Sequence, residues 1–138
     1  MSNSGLVLLV VVIVVIAIMR MTAYQGASMT VEELHQQLAT ATAPGGSTAT
    51  ETTLVVDVRE PDEFGQGHIA GAVNIPLGQI DTRINELRER KRIYVICLSG
   101  ARSAMACNAI QKAEPTLSVV NITGGMGAWQ GHGFPVVR

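Results

Sequence analysis

The sequence predicts an α/β fold in which helices cover both faces of a parallel β-sheet. Two observations support this prediction. Strand-like and helix-like segments alternate along most of the chain, and the strand-like runs are almost continuously apolar, as in sheets that are buried on both faces. The chain has 138 residues, which is enough for one domain with one hydrophobic core after an N-terminal segment is set apart.

An unbroken apolar run from Leu6 to Met19 lies close to the N-terminus. As a helix, this run would be roughly 21 Å long, which is short of the ~30 Å hydrocarbon core of a bilayer. Arg20 can snorkel and Tyr24 can sit at the interface, so the usable length increases. We therefore predict a transmembrane anchor over residues 1–22. The alternatives are a cleaved signal peptide, although no basic residue precedes the run, and a buried strand or core helix.

Charge and cysteine content limit the location and the partners of the protein. Arg20 follows the apolar run and no basic residue precedes it, so the positive-inside tendency places the rest of the chain in the cytoplasm. The two cysteines, Cys97 and Cys107, show neither a disulfide framework nor a zinc pattern. The net charge of −1 argues against a nucleic-acid partner. We predict no cofactor and no metal.

A tether over residues 23–29 leads into a domain that is predicted over residues 30–138. Thr30 and Glu33 have the spacing of a capping box that starts a helix through Ala39, with Met29 and Leu34 at the staple positions. Residues 40–53 are rich in Thr, Ala, Gly and Ser, which predicts a flexible loop insertion; a partner-binding or glycosylated segment is the alternative. The later elements are predicted as strand 54–58, helical turn 61–66, strand 72–75, amphipathic helix 77–90, strand 93–96, helix 102–113, strand 117–122 and short helix 125–130.

Cys97 is the predicted catalytic residue because it joins the end of an apolar strand to a small-residue loop and then a helix. Loop N–H groups and a helix N-terminus stabilise negative charge at one point, and a sulfur held there is stabilised as the nucleophilic thiolate. Four residues separate Cys97 from Arg102, whereas tyrosine-phosphatase-like enzymes have five. The shorter loop suits one extra sulfur atom better than a tetrahedral oxyanion. The predicted substrate-binding loop consists of Leu98, Ser99, Gly100, Ala101, Arg102 and Ser103.

Four segments, in order along the chain, resemble the rhodanese family of sulfurtransferases. Residues 97–103 resemble its active-site loop, Cys-x-x-Gly-x-Arg-Ser, and residues 55–60 resemble its first core strand with an Asp-x-Arg end. Residues 67–76 and the C-terminal pattern from Gly124-Gly125 to Pro135-Val136 agree as well. The resemblance implies that Cys97 takes a sulfur from a donor such as thiosulfate, holds it as a persulfide, and passes it to a thiol, cyanide or protein acceptor.

Leu98 departs from the family pattern, because many active rhodaneses have Arg directly after the cysteine. The missing cation should lower the attraction for thiosulfate, which is a dianion. A persulfide carrier or binding module that serves a protein partner is therefore an alternative function. A phosphatase or arsenate reductase on the same fold is a third, which the short Cys97 to Arg102 spacing argues against.

Several residues around the loop are assigned two roles each. Arg102 is expected to orient a donor or hold loop carbonyls, or else to be a surface side chain. Ser103 supplies a hydroxyl to the persulfide or caps the following helix. Asp57 and Arg59 are expected to support the loop as an ion pair, with a purely structural pair as the alternative. Cys107 is interpreted as part of the core, with a resolving thiol as the alternative.

Overall fold

The structure is a computed structural model that describes residues 3–22, 24–41 and 53–138. Five strands and six α-helices are described, together with two short 3₁₀-helices. In chain order they are α1 (Asn3–Thr22), β1 (Ser28–Met29), α2 (Val31–Ala41), β2 (Thr53–Asp57), α3 (Pro61–Gln66), β3 (Val73–Asn74), a 3₁₀-helix (Leu77–Gln79), α4 (Ile80–Arg83), a 3₁₀-helix (Ile84–Leu87), β4 (Arg92–Ile96), α5 (Ala101–Ala113), β5 (Ser118–Ile122) and α6 (Gly125–Gly131).

The five strands form one parallel sheet in the order β1-β5-β4-β2-β3, which confirms the predicted fold class. The strand β4 is central and pairs with β2 along its whole length and with β5 along most of it. Its carboxyl end therefore lies between the carboxyl ends of two neighbours. Cys97 is the first residue after β4, so the chain delivers it to the edge where α/β sheets bind ligands.

Two hydrophobic clusters cover the two faces of the sheet. Successive strand side chains point to opposite faces, so Ile93 and Val95 of β4 join one cluster and Tyr94 and Ile96 join the other. The first cluster includes residues of α4 and α5, and the second includes residues of α2 and α6. Full burial of each aliphatic side chain contributes about 1.5–3 kcal/mol, so the continuous apolar character of the strands is what holds helices on both faces.

The capping box of α2 is present as predicted. The backbone N–H of Thr30 donates to Oε2 of Glu33 at 2.8 Å, and the backbone N–H of Glu33 donates to Oγ1 of Thr30 at 3.3 Å. Leu34 is fully buried and Met29 packs against the same cluster. These contacts fix where the helix begins and which face it buries.

The predicted helix over residues 77–90 is not continuous. It is divided into a 3₁₀ turn, the single turn of α4 and a second 3₁₀ turn. Arg83 leaves the regular helical conformation, with φ −110° and ψ 12°. The hydroxyl of Thr82 also bonds the carbonyl of Gln79 at 3.1 Å, a local side-chain bond of the kind that competes with helix. Ile80 and Leu87 are buried in the core, as the apolar period predicts, but the prediction of one continuous helix is wrong.

The segment assigned to a tether contains the edge strand β1. The backbone N–H of Asn121 donates to the carbonyl of Ala27 at 2.9 Å, and that of Thr123 donates to the carbonyl of Met29 at 2.9 Å. The hydroxyl of Tyr24 donates to the carbonyl of Val119 at 2.8 Å, and burial raises the pKa of this phenol to about 12. A strand of two residues is too short to show an apolar period, so this strand could not be predicted from its residues. The other predicted elements of the domain are present, with ends within two residues of those expected.

The N-terminal helix α1 exposes its apolar side chains. From Leu6 to Met19, the large apolar side chains are 45% to 66% exposed. The predicted transmembrane anchor is not supported, since within the described residues no helix has the length and apolar character that crossing a membrane requires. Its uninterrupted apolar part would span only roughly 21 Å of a ~30 Å hydrocarbon core. Of the predicted loop insertion, residues 42–52 lie outside the described residues.

Candidate active site

The loop after β4 folds back over its own cysteine. The backbone N–H of Gly100 donates to Sγ of Cys97 at 3.0 Å, and the hydroxyl of Ser103 lies 3.4 Å from the same sulfur. Cys97 is only 1% exposed. Gly100 has φ +104°, a conformation that residues with a Cβ rarely adopt, so glycine at this position lets the loop turn. The structure therefore brings three of the sequence-predicted site residues, Cys97, Gly100 and Ser103, into contact.

Opposing effects set the pKa of the Cys97 thiol. Burial raises the pKa, but hydrogen bonds from the Ser103 hydroxyl and from the backbone N–H groups of Ser103, Gly100 and Ser99 outweigh burial. The net pKa lies below the ordinary value of a cysteine. The backbone donors belong to the loop and the first turn of the 13-residue helix α5, whose dipole also favours negative charge. A larger fraction of Cys97 is therefore thiolate at neutral pH than for an ordinary cysteine.

The start of α6 supports the loop from behind. The backbone N–H of Met126 donates to the carbonyl of Cys97 at 2.7 Å, and that of Gly127 donates to the carbonyl of Leu98 at 2.9 Å. Gly125 has φ +57°, and a Cβ at this position would overlap backbone atoms of Cys97 and Leu98. The glycine pair of the C-terminal pattern thus allows two backbones to approach closely.

The guanidinium of Arg102 has a partner that the sequence did not reveal, the carboxylate of Glu63. Its two terminal nitrogens donate to the two carboxylate oxygens of Glu63 at 2.8 Å and 2.9 Å. Both side chains are about one-third exposed, at 33% and 29%. The hydrogen bond from Arg102 is the main reason that the pKa of Glu63 falls to about 2, so this pair is ionised across the whole neutral range.

Asp57 and Arg59 form a buried ion pair that is 0% and 5% exposed. The Arg59 guanidinium donates to both Asp57 oxygens, to the Gly67 carbonyl at 2.8 Å and to the Glu63 carbonyl at 3.2 Å. These bonds tie α3 and the residue after it to the end of β2. The pair therefore supports the loop through α3, because α3 carries Glu63 and Glu63 bonds Arg102 of the loop.

Two residues at the site were missed by sequence reasoning. Glu63 occupies the first turn of α3, where an acidic residue is ordinary, so its spacing gave no signal. Asn121 is 6% exposed, and its amide nitrogen donates to the carbonyl of Gly100 at 3.4 Å. Among the described residues its Oδ1 atom is buried without a hydrogen-bond partner. A polar residue inside the apolar strand β5 was a signal that could have identified it.

Cys107 and His68 occupy structural positions. Cys107 is fully buried in the same cluster as Cys97, and burial raises the pKa of its thiol to about 12. Both cysteines are free thiols in the structure. His68 bonds the Phe64 carbonyl through Nδ1 at 2.8 Å and stacks on the Phe64 ring. Its backbone pairs with Val137 near the C-terminus.

We call the exposed residues of the loop, together with Met105 one turn into α5, the mouth of the site. Leu98 is 49% exposed, Ser99 and Ala101 are exposed, and Met105 is 61% exposed. The mouth therefore combines apolar side chains and one serine with the cation of Arg102, which is already paired with Glu63. The sulfur of Cys97, in contrast, is buried.

Comparison with known proteins agrees with this geometry. A family model described as a rhodanese-like domain matches residues 30–132. A sulfurtransferase of Allochromatium vinosum is 39% identical over 88 residues, which cover 64% of this chain and 81% of that protein. A crystal structure of a rhodanese-related protein from Thermoplasma volcanium, 31% identical, superposes with a TM-score of 0.65 over 80% of this chain and 97% of the other. The chain belongs to the rhodanese-like family.

The chain is also similar to a protein whose name describes a sulfur carrier. The Bacillus subtilis protein YrkF, whose name describes a candidate sulfur carrier, is 44% identical over 81 residues, or 59% of this chain. The matching part is 43% of YrkF and 60% of a second B. subtilis relative, YqhL, so this chain corresponds to less than two thirds of either protein. The relatives named here thus include a sulfurtransferase and a protein named as a candidate sulfur carrier.

Proposed function

We propose that the protein is a sulfurtransferase that carries a sulfane sulfur as a persulfide on Cys97. The observation that carries this proposal is the 3.0 Å hydrogen bond from the Gly100 N–H to Sγ, in a loop whose donors lower the pKa of the thiol. A persulfide is also an anion in its nucleophilic form. The same loop donors that favour the thiolate can therefore favour the persulfide that replaces it.

The reaction has two half-reactions. The Cys97 thiolate attacks the outer sulfur of a donor, a new S–S bond forms, and the old S–S bond breaks; with thiosulfate, sulfite leaves. An acceptor nucleophile then takes the outer sulfur and Cys97 returns to the thiolate; with cyanide, the product is thiocyanate. No side-chain base is needed, because the loop already holds the thiolate, and a covalent intermediate of this kind gives ping-pong kinetics.

Phosphatase or arsenate reductase activity is less compatible with the site. Such chemistry needs a guanidinium free to hold a tetrahedral oxyanion in two places. Here both terminal nitrogens of Arg102 already bond the Glu63 carboxylate. The Cys97 to Arg102 spacing is also one residue shorter than in tyrosine-phosphatase-like enzymes.

A persulfide carrier that serves a protein partner is the second candidate. The observation in its favour is the mouth of the site, where the exposed Leu98 replaces a cation and Arg102 is paired. Steady-state assays with thiosulfate and cyanide separate the two candidates. The enzyme releases many equivalents of thiocyanate per protein, whereas a carrier keeps its persulfide in the presence of cyanide and shows no turnover until a protein partner takes the sulfur.

Mass spectrometry of the intact protein tests the shared step. After incubation with thiosulfate and removal of the excess, we expect the mass of one added sulfur atom on Cys97. The variant Cys97→Ser should gain none, and Cys107→Ser, whose thiol is buried and protonated, should gain the same as the wild type. Loading of Cys107→Ser at the level of Cys97→Ser, with unchanged circular dichroism, would contradict the single-cysteine mechanism.

We further propose that α1 attaches the domain to a membrane. Its large apolar side chains from Leu6 to Met19 are 45% to 66% exposed, so they are available for burial at a lipid surface. We expect the full chain to sediment with membranes and to resist carbonate extraction. A double variant, Ile13→Lys with Ile16→Lys, should move to the supernatant, because two charges reduce the apolar area that the helix can bury in lipid. Wild-type protein in the supernatant would remove this proposal.

A further inference from the structure

The ion pair between Arg102 and Glu63 changes what the site can attract. Arg102 is the one cationic residue of the loop from Cys97 to Ser103. Its bidentate bonds to Glu63, at 2.8 Å and 2.9 Å, give the pair a net charge of zero. A dianionic donor that approaches the mouth of the site therefore meets a neutral pair, and not a free guanidinium.

Glu63 is held in place independently of Arg102. Its Oε2 atom accepts the backbone N–H of Glu60 at 2.9 Å in the capping box of α3, and its backbone carbonyl accepts a hydrogen bond from Arg59. Arg59 is itself fixed by the buried pair with Asp57. The Glu63 carboxylate is thus positioned by contacts that begin at the end of β2, and these contacts do not depend on Arg102.

Apart from Ser99, the other exposed residues of the mouth are apolar. Leu98, directly after the cysteine, is 49% exposed, and Met105, one turn of α5 beyond Arg102, is 61% exposed. These exposed apolar side chains favour contact with the organic group of a donor. It offers no compensation for the desolvation of a sulfite leaving group, which is a dianion.

We propose that Glu63 is a specificity-determining residue that neutralises Arg102, so that Cys97 takes sulfur from an organic hydropersulfide in preference to thiosulfate. This inference rests on the proposed persulfide chemistry of Cys97. In the step, the Cys97 thiolate attacks the outer sulfur of R–S–SH, a Cys97–S–SH bond forms, and R–S⁻ leaves. Atoms and charge balance without an added oxidant or reductant.

The test compares two donors, thiosulfate and the hydropersulfide of 2-mercaptoethanol, with cyanide as acceptor. The wild type should use the hydropersulfide with the higher kcat/KM. In Glu63→Gln the KM for thiosulfate should fall by roughly 5- to 10-fold at low salt, the order of effect that one freed charge exerts on a dianion in water. Since both side chains are about one-third exposed, the gain should shrink at ~0.5 M salt.

Matched variants separate this effect from a structural one. Glu63→Gln keeps a side-chain carbonyl oxygen for the Glu60 N–H, so the capping box remains possible. Glu86→Gln is the control, because Glu86 also forms an exposed bidentate pair, with Arg83, away from the loop. It should leave the ratio of the two kcat/KM values unchanged. Met105→Lys adds a cation at an exposed position without touching the pair, and it too should lower the KM for thiosulfate.

Three outcomes would overturn the inference. An unchanged KM for thiosulfate at low salt in both Glu63→Gln and Met105→Lys would show that donor charge is not limiting. A wild type that prefers thiosulfate would exclude the donor class. In either case, Cys97 still gains sulfur in mass spectrometry and the proposed function stands. If neither donor loads Cys97, the proposed function fails together with the inference.

Discussion

Ser103 offers the most direct test of how the loop activates Cys97. Its hydroxyl lies 3.4 Å from Sγ, and both residues are almost completely buried. A hydrogen bond to a charged group contributes about 1.5–3 kcal/mol, and one pKa unit corresponds to about 1.4 kcal/mol. Taking the lower end for this long contact to sulfur, Ser103→Ala should raise the pKa of the Cys97 thiol by about one unit.

The effect on reactivity has a sign that depends on pH. Below both pKa values, the variant has about tenfold less thiolate, but each thiolate is about threefold more nucleophilic because the Brønsted slope is about 0.4–0.5. Alkylation by iodoacetamide should therefore be about threefold slower in that range of pH. Above both pKa values, where each protein is fully ionised, the variant should react about threefold faster. The two pH–rate curves should cross.

The assay is the rate of alkylation against pH, followed by mass spectrometry. Ser99→Ala is the matched control, because Ser99 acts on the pKa of Cys97 through its backbone N–H, which the substitution retains. Its inflection should stay close to that of the wild type. An unmoved inflection in Ser103→Ala, with thermal stability intact, would refute the assignment of the hydroxyl to thiolate stabilisation.

Three further predictions follow from the same site. Leu98→Arg should lower the KM for thiosulfate severalfold in the thiocyanate assay, with less change in kcat, because the added cation attracts the dianion. The gain should shrink with added salt, and an unchanged KM at low salt would contradict this prediction. Asp57→Asn should lower the free energy of unfolding by about 3–5 kcal/mol in urea titrations, because the buried Arg59 loses its counter-charge. A loss below ~1 kcal/mol, typical of exposed pairs, would argue against a stabilising role for this ion pair. Gly125→Ala should slow Cys97 alkylation and destabilise the fold by at least ~1–2 kcal/mol, since φ is +57° and the added Cβ would displace the loop backbone. Gly131→Ala is its control, because no atom would lie within 4 Å of the added Cβ, and this variant should unfold like the wild type.

Local patterns were sufficient for the elements that carry their own signal. The apolar strands around Cys97 specify burial on both faces, and burial on both faces requires helices above and below a parallel sheet. Thr30 and Glu33 specify the start of α2 because both capping partners lie within one turn. The strand–loop–helix order likewise predicts Cys97 at the carboxyl edge of the sheet.

Elements that depend on distant partners could not be predicted in this way. The strand β1 exists because Asn121 of β5 and Thr123, the residue after β5, donate hydrogen bonds to Ala27 and Met29, more than ninety residues away in sequence. The segment after Leu77 carries a helical period, yet contacts of Arg83 with Glu86 and with the Asn74 carbonyl accompany its division into short turns. The outcome of such competition between local preference and tertiary contact cannot be predicted from the residues of either segment alone.

The sequence by itself determined the parallel α/β fold and the placement of Cys97 in a loop of small residues, because apolar period and turn chemistry are local properties. Only the tertiary structure decided which charges surround that loop. Glu63 lies 39 positions before Arg102, and it meets the guanidinium only because Asp57 and Arg59 fix α3 beside the start of α5. An ion pair is set by the distance between two atoms in space, and the sequence distance between its members carries no information about it.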